Sequence, residues 1–225
     1  DLRATSFHPP TLDMLEPLGL TQELIAQGLV CPSWQIRDLT TGERAVFELA
    51  SIKDDTRHPF RLQCEQWRLS QAVLARLARH PRVRHEFGAA VTGFSQDADG
   101  VDVTVEHGGV ASRTRARFLV GADGLASTVR RVLGLPFEGE TYPETTLVVT
   151  TPFPFERHIE GLSIVSSCWT PESHVAFLKL PGFWRLALYP DERLPIDKLD
   201  TAEAVEATLQ TLVKRPEPYP VLRRW

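Results

Sequence analysis

The chain has 225 residues, 42% of them hydrophobic and 24% charged, so it is long enough to bury the core of one large or two small globular domains. Its net charge of −4 gives no basic face for nucleic acid, and no apolar run is long enough to span a membrane, so we expect neither partner. The three cysteines form no CxxC pair and the seven histidines show no HExxH spacing, which argues against a disulfide framework or a metal site and favours a reducing cytoplasm.

Two short helices and two strands are predicted in the first 50 residues. Leucines at helical spacing predict a helix over 11–18, after a pair of prolines. A second helix is predicted at 22–27, with Gly28 ending it in the usual C-terminal position. Strands are then predicted at 34–38 and 44–50, joined by the turn TTGE.

A longer helix and a β-rich block come next. Apolar residues spaced four apart in EQWRLSQAVLARLARH predict an amphipathic helix. Alternating residues at 83–87 and 101–105, followed by 110–118, predict a meander of strands. The meander leads into a predicted apolar strand, RFLVGAD, which ends at the turn Asp123-Gly124.

Prolines interrupt the segment after Gly134, where a second sheet is predicted. A helix follows at about 202–214, with Asp200 as the N-cap and Glu203 at capping-box spacing. Alternating apolar residues place the strands of the sheet at 146–150, 162–167, 174–180 and 184–189.

The turn in GADGLASTVR has the chemistry of a nucleotide site. Gly121 and Gly124 carry no Cβ and allow a ligand to approach the backbone, while Asp123 can accept hydrogen bonds from sugar hydroxyls. Ser127 and Arg130 fall on the first turns of the following helix, where they can reach phosphate oxygens. The alternative is an ordinary strand-to-helix turn, with Asp123 as a helix cap and Arg130 on a solvated face.

GADGLASTVR also resembles the DG motif of the group A flavoprotein monooxygenases, the family typified by para-hydroxybenzoate hydroxylase. Asp123, Gly124, Ser127 and Arg130 match that motif position by position. In the family the motif serves FAD and the transiently bound NAD(P)H. The resemblance therefore implies FAD as cofactor and NAD(P)H as co-substrate.

Two further segments resemble the family in the same order along the chain. LRATSFHPPTLDMLEPLGL places Arg3 where the family has an arginine that reaches the flavin nucleotide. RLQCEQWRLSQAVLARL resembles the helix whose opening glutamine contacts the flavin. In the family pattern the glutamine is followed by apolar residues three and seven positions later, which selects Gln66 over Gln63. The alternative for Gln66 is an amide that faces solvent at the start of a helix.

The resemblance implies a mixed α/β (α+β) fold in which part of a Rossmann-like FAD/NAD(P)-binding domain is interleaved with a β-sheet substrate domain. We expect the partial FAD-binding domain, with inserted strands, over 1–135 and the substrate-domain sheet with its following helix over 136–225. The sequence near SFHPPTLDML and RHPFRLQCEQ is most similar to the branch of the family that hydroxylates phenols and 3-hydroxyphenylpropionate. Members pass one oxygen atom of a flavin C4a-hydroperoxide to an aromatic ring.

Two family motifs do not occur in the chain. It contains neither GxGxxG, which holds the ADP phosphates, nor a Gly-Asp dipeptide, which in the family binds the flavin ribityl chain, and it begins without Met. We therefore expect an internal fragment of a larger enzyme. A fragment of this kind is expected to be inactive alone.

Three neighbouring residues are candidates for contacts with the substrate. Arg57, in a loop, is preferred to Arg61 as a partner for a substrate carboxylate, and His58 beside a proline is either a substrate contact or structural. Cys64 is expected to be a buried apolar residue, and no catalytic acid or base is assigned. Four aromatic residues could line a pocket: Trp169, Phe177, Trp184 and Tyr189. For most of them we expect packing in the core instead.

Other functions remain open at this point. A flavin epoxidase or a quinone-ring hydroxylase would share the DG motif, and a non-catalytic binding module would keep the fold for contacts with a partner. A small aromatic molecule is the expected substrate, the protein is expected in the cytoplasm, and a homodimer is one open assembly state.

Overall fold

The computed structural model describes residues 4–142, 145–170, 174–189 and 196–225. The chain divides into two compact units, a larger one of Asp1–Arg76 with Tyr142–Trp225 and a smaller one of Leu77–Thr141. No helix in the described ranges combines the length and the apolar character that a membrane crossing needs. The expected division into an FAD-binding and a substrate domain near residue 135 stays a prediction.

The helices are short, and most of them lie in the larger unit. The first begins with two prolines, which suits a helix start because proline has no N–H to leave unpaired there. The α-helices of the described residues, in chain order, are Pro9–Leu15 (α1), Thr21–Ile25 (α2), Trp67–Leu77 (α3), Thr128–Val132 (α4), Ile196–Leu199 (α5) and Ala202–Leu212 (α6).

The strands form three sheets. In chain order they are Ser6–Phe7 (β1), Leu29–Cys31 (β2), Ser33–Asp38 (β3), Arg44–Glu48 (β4), Arg61–Gln63 (β5), Ala89–Gln96 (β6), Val101–His107 (β7), Val110–Ala116 (β8), Leu147–Thr151 (β9), Val165–Trp169 (β10), His174–Leu180 (β11), Phe183–Tyr189 (β12) and Arg223–Arg224 (β13).

The larger unit holds a seven-stranded sheet in the order β13-β9-β12-β11-β10-β3-β4. Its β10–β3 pair is parallel and its other pairs are antiparallel. A smaller antiparallel sheet, β1-β5-β2, belongs to the same unit. The mixed α/β class expected from the sequence is confirmed.

One face of the seven-stranded sheet forms the main core. Phe177, Trp184 and Leu186 alternate with outward residues on β11 and β12, and they pack with Val205 and Leu209 of α6. Burying each of these side chains contributes about 1.5–3 kcal/mol relative to leaving it exposed. The opposite face carries three small residues in register across β9, β12 and β11, namely Val148, Ala187 and Ala176.

Two predicted strands are wrong. Residues 83–87 lie in turns and irregular backbone before β6, and Phe87 is 69% exposed. Residues 117–123 form no strand either, and Phe118 and Val120 are 80% and 84% exposed. A strand requires a hydrogen-bonded neighbour, and none of the described residues pairs with either segment.

Two helix termini also differ from the prediction. Thr201, not Asp200, is the N-cap of α6 and accepts a hydrogen bond from the Ala204 amide, while Asp200 pairs with Arg224 at 2.9 Å. Gly28 has no positive φ. A Cβ there would lie 2.8 Å from Leu62 Cδ1, so this glycine is required by close packing against β5.

The smaller unit is built on the β6-β7-β8 meander, as predicted for 101–105 and 110–118. Arg115 on β8 bridges two carboxylates, with 2.6 Å to Asp97 Oδ1 and 2.6 Å to Asp102 Oδ2. The hydrogen bond from Arg115 is the main reason that the pKa of Asp97 is lowered to about 2.

Replacing Arg115 is expected to reverse this shift. In Arg115→Gln the pKa of Asp97 should rise toward its ordinary value near 3.8, which an NMR titration of the side-chain carboxyl would detect. Because the pKa of Asp97 is depressed in the folded state, the ionised Asp97 stabilises the unmodified protein fully above about pH 4. This stabilisation of the fold is lost as the pH falls toward 2. Arg113→Gln, on the same strand face, is the control. An unchanged Asp97 pKa in Arg115→Gln would contradict the assignment.

Candidate functional site

The Asp123-Gly124 turn is held together by the carboxylate of Asp123. Its Oδ1 accepts a hydrogen bond from Ser127 Oγ at 2.6 Å. Its Oδ2 accepts from the backbone amides of Thr128 at 2.7 Å and Val129 at 3.2 Å. These bonds, with the Ser127 hydrogen bond contributing most, lower the pKa of Asp123, so the group is anionic at neutral pH. Asp123 thus stabilises the start of α4 from the preceding turn.

Ser127 and Arg130 continue the same local network. Ser127 is the N-cap of α4 and accepts a hydrogen bond from the Arg130 amide at 3.0 Å. The Arg130 guanidinium donates to the Leu125 carbonyl at 2.8 Å and lies 4.4 Å above the centre of the Phe137 ring. Within the described ranges no acidic side chain pairs with Arg130. Its guanidinium is therefore oriented and still able to receive an anion.

The two glycines of the motif have different structural reasons. At Gly121 a Cβ would lie 2.9 Å from the Val129 side chain, so this glycine allows the chain to pack against α4. Gly124 has a φ of +76°, which favours glycine, and no atom lies within 4 Å of the position that its Cβ would take. The backbone at Gly124 is therefore open to close approach by a ligand.

The two glutamines of the β5–α3 segment lie in different environments. Gln66 is exposed, and its Nε2 donates to the Ser6 carbonyl at 2.9 Å. Gln63 is fully buried, and its Oε1 accepts from Ser6 Oγ at 2.6 Å. Gln66 is thus the more accessible of the two glutamines, and its contact with flavin stays a prediction. Arg3 lies outside the described residues.

His58 joins its loop to helix α1. The side chain is 4% exposed, and Nδ1 lies 2.8 Å from Asp13 Oδ1. Thr56 donates to the other oxygen of Asp13 at 2.6 Å, and these two hydrogen bonds lower the pKa of Asp13. The network gives His58 a structural task. Its contact with substrate stays a prediction.

Arg57, the neighbour of His58, points away from the interior. Its side chain is 81% exposed and pairs with Glu16 at 3.4 Å. Ligand atoms of Asp13, Glu16 and His58 lie within 4.8 Å of one another, close enough for a metal ion. However, both Asp13 oxygens already accept hydrogen bonds and Arg57 pairs with Glu16, so the group is satisfied without a metal.

The four aromatic residues weighed as pocket walls divide into two pairs. Phe177 and Trp184 are buried in the core. Trp169 and Tyr189 stack on either side of His174, at ring-centre distances of 4.1 and 4.5 Å. Cys64 is buried, and burial raises the pKa of its thiol, as expected for an apolar residue rather than a nucleophile.

One buried ion pair is not apparent from the sequence. Arg185 on β12 lies 3.1 Å from Glu65, with side chains 3% and 14% exposed. Burial lowers the pKa of Arg185, although the guanidinium stays charged. The only local signal is an arginine in an otherwise apolar strand, and its partner lies 120 residues earlier in the chain.

Comparison with known proteins places this chain in a family. The model of the "FAD binding domain" family matches residues 1–208. Para-nitrophenol 4-monooxygenase from Pseudomonas sp. strain WBC-3 is 29% identical over 85% of this chain and 48% of its own length. The 3-(3-hydroxyphenyl)propionate/3-hydroxycinnamic acid hydroxylase of Escherichia coli is 31% identical over 65% of this chain and 26% of its own length. The chain thus spans about half, or less, of the curated relatives it matches.

A solved structure gives the same result for the fold. The crystal structure of p-nitrophenol 4-monooxygenase from Pseudomonas putida DLL-E4 covers 100% of this chain with a TM-score of 0.89 and 24% identity, and 57% of that protein is matched. At this identity the likeness concerns the fold.

The donor set of the smaller unit suits the cofactor of that family. Gly124 leaves open backbone, and the oriented Arg130 has donors for a phosphate or carbonyl oxygen. The expectation of an FAD-binding fold, drawn from the Asp123-Gly124 turn, is confirmed at the level of the family. By its match over residues 1–208, this chain belongs to the FAD binding domain family.

Proposed function

We propose that the protein is an FAD-dependent monooxygenase that hydroxylates a phenolic ring with NAD(P)H and O₂. The observation that carries the proposal is the Asp123-Gly124 turn, with its capped helix and oriented Arg130, in a chain that matches the FAD-binding family over 208 residues. The names of the relatives support the phenolic substrate, because they describe oxygenation of a nitrophenol and of hydroxyphenyl acids.

The residues of this chain would bind the cofactor and orient it. Arg130 and the open backbone at Gly124 would receive the nucleotide part of FAD, and Gln66 would contact its flavin part, with Arg3 as a further nucleotide contact. Bound FAD supplies the oxygen chemistry, which no side chain can perform. The protein then has to hold the ring in place and exclude water.

The small side chains on the open sheet face favour an aromatic substrate. Val148, Ala176 and Ala187 lie next to one another in register across β9, β12 and β11, on the side away from the core. They are small and only partly buried, so this part of the face is accessible. We place the aromatic substrate over this face.

A cytoplasmic location is part of the proposal, and a homodimer remains one open assembly state. Cys31, Cys64 and Cys168 are all free and buried, which agrees with a reducing compartment. Burial raises the pKa of Cys168 to about 12, so this thiol is a poor candidate for oxidation.

Steady-state turnover separates this function from its alternatives. Full-length protein is expected to purify with bound FAD, to oxidise NADH or NADPH faster when 4-nitrophenol or 3-(3-hydroxyphenyl)propionate is added, and to transfer ¹⁸O from labelled O₂ to the ring. A protein that binds no flavin would be a binding module. If the protein oxygenates a quinone or an alkene and does not oxygenate a phenol, the quinone-ring hydroxylase or the epoxidase would be favoured.

A further inference from the structure

Strand β4 lies at one edge of the seven-stranded sheet and lacks the features that usually protect such an edge. It pairs with β3 over Arg44–Glu48 without a register shift, and all five of its residues are exposed. It contains no proline or lysine, and its middle carries apolar side chains, with Val46 45% and Phe47 42% exposed. A regular edge strand of this kind is a template for pairing with another strand.

The other edge strands among the described residues are protected. Strands β13, β1 and β2 are only two or three residues long, and both residues of β13 are arginines. In the sheet of the smaller unit, β6 has a register shift between Val91 and Gly93, and β8 carries the exposed Arg113. Short length, irregular register and exposed charge each discourage the addition of a strand. Strand β4 is therefore the least protected of these edges.

The free backbone groups of β4 belong to alternate residues. The Leu49 amide donates to the carbonyl before β3, and the Glu43 carbonyl accepts from the last amide of β3, both at 2.9 Å. In an antiparallel ladder these two bonds require that the odd-numbered residues of β4 bond to β3. The N–H and C=O groups of Arg44, Val46 and Glu48 therefore point away from β3, toward the free edge.

The charged ends of β4 have no ionic partner in the part of the chain that the structure describes. Arg44 begins the strand and Glu48 ends it, and both side chains are exposed. One nitrogen of Arg44 donates to the Gly161 carbonyl at 3.2 Å, which leaves its other donors free. Four residues of extended chain separate Arg44 from Glu48 by about 13 Å, so the two cannot pair with each other.

We propose that β4 pairs antiparallel with β4 of a second copy of this chain, across a two-fold axis at Val46. This register places Arg44 of each copy opposite Glu48 of the other copy, so two ion pairs form on one face of the joined sheet. On the other face it places the small Ala45 opposite the large Phe47. The strand is thus complementary to itself in charge, in side-chain size and in backbone groups, as a two-fold interface requires.

Two local contacts hold β4 ready for this pairing. The Phe47 ring is stacked on Trp34, with ring centres 4.3 Å apart and planes 12° from parallel, so it is already fixed on its face. The Glu48 carbonyl accepts a hydrogen bond from Ser51 Oγ at 2.8 Å and keeps a second lone pair for the other copy. None of the residues proposed to bind FAD or substrate belongs to β4. The interface can therefore be tested separately from the proposed function.

Sedimentation equilibrium of the full-length, flavin-loaded protein is the primary experiment. The unmodified protein is expected to have the mass of two chains. Arg44→Glu brings like charges together in both symmetric pairs, and so does Glu48→Arg, so each variant is expected to raise the dimer dissociation constant by about tenfold or more. An unmodified protein that is monomeric at every concentration would overturn the proposal.

Restoring opposite charges separates the interface from a general effect of substitution. An equimolar mixture of the Arg44→Glu and Glu48→Arg proteins is expected to form heterodimers, because every pair across the interface then joins opposite charges. The double variant Arg44→Glu/Glu48→Arg should dimerise with itself for the same reason. A misfolded variant would not regain association on mixing. If neither the mixture nor the double variant associates more tightly than the single variants, the proposed register is wrong.

A backbone variant and a control complete the test. Val46→Pro removes an N–H that points to the free edge and leaves the bonds between β3 and β4 in place, so dimerisation should weaken while circular dichroism and flavin content stay unchanged. Arg113→Glu changes the charge of another edge strand, β8, and should leave the dissociation constant unaltered. A dimer that is equally stable in Arg44→Glu, Glu48→Arg and Val46→Pro would have its interface elsewhere, and the proposal would be overturned.

Discussion

Replacing Trp184 by alanine is expected to destabilise the protein by about 3–5 kcal/mol, the usual cost of removing a large aromatic side chain from a core. Trp184 is 2% exposed and meets Phe155 and Phe177 edge-on, at ring-centre distances of 6.4 and 6.0 Å. Its Nε1 also donates to Glu156 at 2.7 Å. The truncation therefore creates a cavity and removes a hydrogen bond at the same time.

Trp169→Ala is the matched control, because Trp169 is 50% exposed and stacks on His174 at the end of strand β10. We expect a loss below about 1.5 kcal/mol, the upper range for one aromatic pair. Urea denaturation followed by far-ultraviolet circular dichroism measures both variants. Similar midpoints for the two proteins would contradict the division of these aromatic residues into core and surface pairs.

The elements that the sequence predicts well are those with one buried face. Strands β7, β11 and β12 alternate buried and more exposed residues, and α3 repeats apolar residues every four positions, so the period of the pattern reports the geometry directly. The Asp123 motif is also local, since its hydrogen bonds join residues at most six positions apart. Local patterns of this kind can be recognised without knowledge of the fold.

The features that the sequence does not reveal depend on distant parts of the chain. The apolar run at 117–123 has the composition of a strand, but strand formation requires a neighbour that composition cannot supply. Gly28 is explained by contact with β5, more than thirty residues later. Likewise, the burial of Arg61 and the pairing of Arg185 with Glu65 follow from tertiary packing, which gives no periodic signal.

Arg130→Ala is expected to weaken FAD binding by about 1.5–3 kcal/mol, the contribution of a hydrogen bond to a charged group, which corresponds to roughly a 10- to 150-fold rise in Kd. The structural basis is the orientation of the guanidinium by the Leu125 carbonyl and the Phe137 ring, with no acidic partner in the described part of the chain. The measurement is titration of flavin-free, full-length protein with FAD, followed by flavin fluorescence.

Arg131→Ala is the appropriate control because this neighbour is also an arginine on α4. Its guanidinium instead bonds within the helix, to Thr128 Oγ1 at 2.9 Å and to the Ser127 carbonyl at 3.4 Å. A surface substitution of this kind usually changes stability by no more than about 0.5 kcal/mol, and FAD affinity should be nearly unchanged. If Arg130→Ala and Arg131→Ala instead gave the same Kd as the unmodified protein, Asp123 and Ser127 would serve only to begin a helix, and the turn would have no part in holding the cofactor.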